Sequence, residues 1–283
     1  MFLARTALIA LQLVRAATQP LAEKPTDLAT NASSRHLAPP LSQYSEQAEQ
    51  ELFTLANAAR SRAGLPPLKL DDALVQAARA HAGEMAAHRQ LAHQFSGEPP
   101  LSKRVGAETG LQLERAGENV AFATSPEQAH EALMSSPPHR DNLLSRKFDV
   151  AGFGVVEEGG RLYVAQDFAS SVPIHSVRQA EELVARSIEQ VRAKVNLPRL
   201  EYVSDRSAHS RACAMAEADS LKVAIPRDRA LVLRYTSTKP ETLPTHVSQV
   251  IARRGLHAYS AGSCYAHTER YPLGTYWVLL LFY

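Results

Sequence analysis

Apolar positions recur at helical spacing where the folded part of the chain begins. Leu52, Leu55, Ala56, Ala59 and Ala63 mark one helix. Gly64 and Pro66-Pro67 stop it. Asp71 is placed to cap a second helix, in which Leu74, Ala77, Ala78, His81, Ala82 and Met85 line one apolar stripe. Residues 90–117, with Gly97, Pro99-Pro100 and Gly106, read as a loop. Ser125, Pro126 and Gln128 supply the cap, first-turn proline and capping box of a third helix, which Pro137-Pro138 ends. Two strands close this unit, Val150 to Val156 and Leu162 to Phe168, joined at Glu157-Glu158-Gly159-Gly160. Helices followed by an antiparallel hairpin predict a layered α+β unit over residues 46–171.

The segments before it carry a different pattern. Residues 1–17 hold Arg5, a short apolar run from Ala7 to Val14, and small residues Ala16 and Ala17. That is the layout of a secretory signal peptide, although Arg15 interrupts the end of its apolar stretch. Residues 18–45 are rich in Pro, Ala, Ser and Thr and read as a linker.

Residues 172–283 read as a second α+β unit and a degenerate repeat of the first. One offset aligns Arg60 with Arg192, Leu65 with Leu197, Pro66 with Pro198, Leu68 with Leu200 and Arg79 with Arg211. Near the ends, Ala151 aligns with Ala261 and Phe168 with Phe282. The alternative is chance similarity between Ala- and Arg-rich helices. The run WVLLLFY reads as a buried central strand, or else as an apolar patch for a partner.

The 283 residues are 45% hydrophobic and 21% charged, which excludes wholesale disorder. Lys and Arg number 31 against 29 Asp and Glu, so a net charge of +2 gives no field to hold nucleic acid. Beyond the N-terminus no apolar run is long enough for a membrane span in the mature chain. Cys213 and Cys264 form an even pair, placed by the repeat on a helix and the strand beneath it. In an exported chain they could join in a disulfide; the alternative is two buried free thiols.

Six motifs then occur in order: NAARSRAGLPPL, LAHQF, AGENVA, SSPPHRDNLL, VAGFGV and YVAQDF. In this order they resemble the CAP superfamily in its bacterial, SCP-like form. The resemblance implies an α-β-α sandwich and an extracytoplasmic location, secreted or periplasmic. It also implies a polar cleft. Carried over by position, His93 and Glu118 match that cleft's first His and first Glu, with Asn119 following. Ser136 stands where the second Glu is expected, and Tyr163 where the last His is expected. Bacterial members offer His139 instead, and Gln166 matches a strand Gln.

The cleft set implied is therefore His93, Glu118, Asn119, His139, Tyr163 and Gln166. His93, Glu118 and His139 could form a three-ligand site for zinc or another divalent metal with one position open. The alternative is that Glu118 and Asn119 bond loop amides and His139 braces the loop. His81 reads as a satisfied core histidine, His88 as the rival of His93, and His130 as facing water. GxSxG, HExxH and a phosphate-binding glycine loop are all missing. The resemblance thus implies a secreted, non-catalytic binding module for a lipid, glycan or protein at the envelope or outside the cell. The alternative is a metal-dependent hydrolase of peptides or cell-wall material. Loss of the second Glu and the last His leaves few groups for both ligands and an acid/base pair, which favours binding.

Overall fold

The computed structural model describes residues 44–107, 109–224 and 231–283. The signal segment 1–17 and nearly all of the linker lie outside the described residues. The last linker residues are described: Tyr44 bridges Val156, and Ser45 caps the first helix.

The first unit runs α1 (Glu46–Arg62), β1 (Lys69–Leu70), α2 (Asp72–His88), α3 (Leu101–Gly106), β2 (Gln112–Ala123), α4 (Pro126–Ser135), α5 (Pro137–Leu143), β3 (Val150–Glu158) and β4 (Arg161–Val172). Asp71 caps α2 by accepting the Leu74 N–H, and Ser125 caps α4 through the Gln128 N–H. The strands lie in the order β1-β3-β4-β2. β3 pairs antiparallel with β4, and the two-residue β1 runs parallel to β3.

Helices cover both faces of this sheet. On one side α2 packs against Val120, Val156, Tyr163 and Ala165 through Ala78, Ala82 and Met85. The approach is close: a Cβ on Gly154 of β3 would lie 2.2 Å from the backbone of Ala78 and Arg79. On the other side Leu52, Leu133 and Leu143 of α1, α4 and α5 join Phe148, Phe153, Val164 and Phe168. This is the α-β-α sandwich the motifs imply.

Two local expectations are corrected. Residues 90–117 are not one loop, because they contain α3 and the first half of β2. β2 has polar residues on neighbouring positions, Glu118 and Asn119, so it lacks the alternation of a half-buried strand; pairing along β4 orders it instead. Pro137 and Pro138 do more than end α4. They occupy the opening positions of α5, where no N–H is needed.

The second unit comprises α6 (Val177–Lys194), β5 (Glu201–Tyr202), α7 (Arg206–Glu217), β6 (Leu231–Ser237), α8 (Thr245–Ile251), β7 (Ala258–Ala266) and β8 (Thr275–Phe282). Its strand order, β5-β7-β8-β6, reproduces that of the first sheet. β8 is central and buried along its whole length, which accounts for the WVLLLFY run. The aligned arginines do the same work in both units. The Arg60 Nε donates to the Pro66 carbonyl at 2.9 Å, and its Nη1 to those of Leu143 and Ser145. The Arg192 Nε donates to Pro198 at 2.6 Å, and its Nη1 to Ile251 and Arg253.

The alignment near the strand ends holds only in part. Ala151 pairs with Phe168, but Ala261 pairs with Leu280 and Phe282 with Tyr259. The two proposed equivalences therefore differ by two residues. Two residues is one full strand period, so every side chain keeps its face. The connector before the helix also differs, being Asp71 alone in the first unit but 203–205 in the second. Cys213 of α7 and Cys264 of β7 are joined in a disulfide, with Cα atoms 5.0 Å apart. A Cβ on Gly262 would lie 2.1 Å from the Ala208 carbonyl carbon, so α7 rests on β7 as closely as α2 rests on β3.

Candidate functional site

The site grows from one pair of facing residues. In the β2–β4 register Glu118 stands opposite Asp167, and Asn119 opposite Gln166. Strand alternation sends the first pair toward α2 and the second toward α5. Asn119 Nδ2 donates to the His139 carbonyl at 3.0 Å, and Asn142 Nδ2 donates to Asn119 Oδ1 at 3.0 Å and to the Glu118 carbonyl at 3.1 Å. These amides tie α5 to the strand and set where His139 sits. Asn119 and Gln166 are fully buried and act as braces.

On the α2 side lies a buried charge cluster. His81 Nδ1 meets Glu98 Oε1 at 2.6 Å, and Nε2 meets the Ala92 carbonyl at 2.9 Å. Both ring nitrogens face acceptors, and Glu118 Oε2 lies 3.7 Å from Nε2. Arg104 of α3 forms an ion pair with Glu98 Oε1 at 3.1 Å and donates a hydrogen bond from Nη2 to Glu118 Oε2. The side chains of Arg104, Glu98 and Glu118 are 5%, 5% and 4% exposed. Burial alone would raise the Glu98 pKa, but bonds from His81 and the Phe95 N–H, with the Arg104 charge, outweigh it and lower it. Asp167 is the opposite case. It is fully buried opposite Glu118, another carboxylate, and has no N–H donor among the described residues. Burial, and then the Glu118 charge, push its pKa well above the ordinary value, so the neutral acid is favoured.

At the mouth, His93 Nδ1 meets Glu118 Oε1 at 2.8 Å, and the His93 and His139 rings lie 6.2 Å apart between centroids. The His93 side chain is 57% exposed. His139 is half-buried, and burial followed by the His93 charge lowers its pKa. His93, Glu118 and His139 therefore sit together. Tyr163 lies two strand periods along β4 from Asp167, with its ring packed on Phe122 at 5.0 Å. The three central groups fit a resident metal poorly, because one Glu118 oxygen is taken by Arg104 and the other by His93. Among the described residues, no group of three or more His, Cys, Asp or Glu is spaced to hold a metal ion.

His81, Glu98, Arg104 and Asp167 were not expected in the site. His81 is a satisfied buried histidine, as expected, but its partners are the cleft's own carboxylates. The signals were in the sequence: a histidine on an apolar helix stripe and an aspartate inside an apolar strand each demand a partner. His88 stacks on Phe95 at 4.5 Å. His130, expected to face water, is buried; burial followed by the Arg62 charge lowers its pKa.

Comparison with known proteins places this geometry. Residues 53–168 match the model of the cysteine-rich secretory protein (CAP) family. An uncharacterized Bacillus subtilis (strain 168) protein, YkwD, is 36% identical over 115 residues, 39% of this chain and 43% of its own. The chain thus spans less than half the length of that relative. A crystal structure of an extracellular SCP-domain protein from Bacillus anthracis is 30% identical, covers 44% of this chain and 40% of its own, and has a TM-score of 0.39. The crystal structure of Na-ASP-1 covers 85% of this chain and 90% of its own at 9% identity and a TM-score of 0.50, a likeness of fold that spans both units.

Proposed function

We propose, from the match of residues 53–168 to the model of the cysteine-rich secretory protein (CAP) family, that this is a secreted binding module whose His93–His139 cleft holds a ligand at the cell envelope or outside the cell without turning it over. The observation that carries the proposal is the engagement of Glu118 by Arg104 and His93. A metal-dependent hydrolytic site needs, beside the imidazoles that would hold the metal, a carboxylate free to move a proton at the reacting atom. Glu118 is instead held as a buried counter-ion. What remains at the mouth is a pair of imidazoles suited to hydrogen bonding a polar ligand group. Export is supported by the pattern of residues 1–17 and by the Cys213–Cys264 disulfide, a bond that persists in oxidising compartments.

The second reading is a hydrolase of peptides or cell-wall material. The His93–Glu118 contact favours it, since a carboxylate behind an imidazole orients a general base. The test of binding is co-sedimentation with purified peptidoglycan sacculi and, separately, with vesicles of phosphatidylglycerol and phosphatidylethanolamine. The H93A/H139A double variant is expected to bind one of these at least ~10-fold more weakly than the unaltered protein, the loss of about 1.4 kcal/mol of contact. Equal binding of both proteins to every material would remove the cleft from the account.

A further inference from the structure

His209 of α7 lies one helical turn before Cys213, on the same face. Its Nδ1 faces the Ser263 carbonyl at 2.7 Å, and its Nε2 faces the Cys213 Sγ at 3.8 Å. A carbonyl only accepts, so Nδ1 must carry the donated hydrogen. In the neutral ring this leaves the Nε2 lone pair aimed at sulfur. The Ser263 backbone is held at its N–H as well, which donates to Glu181 Oε1 of α6 at 3.3 Å. Glu181 and His209 thus fix the two backbone groups of Ser263, and His209 also faces the sulfur. Cys213 and Cys264 are both only half-buried, so the bond is within reach of a small reagent.

We propose that Cys213–Cys264 is a thiol-exchange site for low-molecular-weight thiols, with His209 stabilising the Cys213 thiolate that reduction releases. This goes beyond the cleft and does not depend on its function. The thiolate of a small dithiol attacks the Cys264 Sγ. The S–S bond breaks, its electron pair leaves with the Cys213 Sγ, and the proton given up by the attacking thiol is taken by the His209 Nε2, so that thiolate and imidazolium pair. The reagent's second thiolate attacks its own sulfur in the mixed disulfide and releases Cys264, which takes up a proton. Two electrons and two protons pass from the dithiol to the protein, and the reagent becomes a cyclic disulfide. His209 selects Cys213 as the leaving sulfur because a stabilised thiolate leaves faster.

The groups facing this site are few. Glu181 comes from α6; burial raises its pKa, outweighing the Ser263 N–H and the His209 charge, which act the other way. Burial and then the Glu181 charge raise the pKa of Tyr202 of β5. From β7 the contact is the Ser263 backbone, and from β8 the neighbour paired with Cys264 is the apolar Trp277. The Glu181 charge and that of His209 act on each other, so Glu181 supports an imidazolium there; along α7 itself the cap Asp205 lies one turn before His209 and Glu217 one turn after Cys213.

The test equilibrates the full chain with reduced and oxidised dithiothreitol at about pH 7. Reduced protein is counted by alkylation and peptide mass, which also tells Cys213 from Cys264. Replacing His209→Ala is expected to lower the equilibrium constant for reduction about 10-fold, which is about 30 mV for two electrons. In reduced unaltered protein, brief iodoacetamide treatment is expected to label Cys213 first at pH values below the ordinary thiol pKa of about 8.5. His209→Gln keeps an N–H for the Ser263 carbonyl but carries no titrating proton, so it is expected to behave as His209→Ala does. If His209→Gln keeps the unaltered constant and labelling profile, the histidine is a structural brace and the proposal fails. It fails equally if neither substitution changes either readout.

Discussion

Replacing Arg104 with methionine should expose how the cleft is balanced. Arg104 lies between Glu98 and Glu118, and all three side chains are about one-twentieth exposed. Methionine fills most of the volume but supplies no charge, so two buried carboxylates lose their shared cation beside Asp167. Breaking a buried pair from one side costs about 3–5 kcal/mol, because the remaining charge is left uncompensated. The loss has a predicted pH dependence. In the unaltered protein the lowered Glu98 pKa contributes stability that is present above its unfolded value and fades as pH falls through the folded one. R104M removes the Arg104 share of that contribution, so its deficit should be largest, ~3–5 kcal/mol, above the unfolded carboxylate pKa of about 4.3 and should shrink as pH falls below it. Urea unfolding followed by fluorescence at several pH values measures it. A deficit under ~1 kcal/mol, the size of an exposed ion pair, or one flat in pH, would refute the idea that Arg104 neutralises the site.

Other substitutions probe neighbouring features. Asp167 has a raised pKa, so it favours folding at low pH and opposes it as pH rises through the folded value; D167N cannot titrate and should gain stability relative to the unaltered protein between about pH 5 and pH 8, as read from urea midpoints. A constant difference across that range would mean Asp167 keeps its charge state. G262A places a methyl 2.1 Å from the Ala208 carbonyl carbon, so α7 must lift from β7, at a cost of at least ~1–3 kcal/mol; an unchanged unfolding midpoint would show that the helix does not lie there. R60M and R192M each remove a guanidinium bonded to three or more backbone carbonyls, and each should lose more than ~3 kcal/mol in the same unfolding assay, at ~1.5–3 kcal/mol for each charged bond. A large loss in R60M with none in R192M would show that the arginines are not equivalent.

Local signals made much of the fold legible. The caps at Asp71 and Ser125 are short-range chemistry, and so is the turn that joins β3 and β4. The equivalence of Arg60 and Arg192 was visible because each arginine is followed at fixed spacing by the proline whose carbonyl it binds. β2 was not visible, because its ordering comes from pairing with β4, a strand distant in sequence. The cleft was half legible. Motifs located His93, Glu118 and His139, but Glu98 and Arg104 sat in what read as a loop and revealed no direction. Their roles come from long-range geometry, in which α3 brings a cation between carboxylates from a loop and a strand. The repeat alignment slipped by one strand period near the end, an error that period-2 structure hides because no side chain changes face.

The central claim is that a cleft with its carboxylate held by Arg104 and His93 binds without turning its ligand over. Its most direct test is mass spectrometric detection of soluble fragments released from purified peptidoglycan and from a mixed peptide library, with and without added zinc. No release above the blank is expected from the unaltered protein under either condition. Release that disappears in H93A or E118Q would contradict the account and establish the hydrolase.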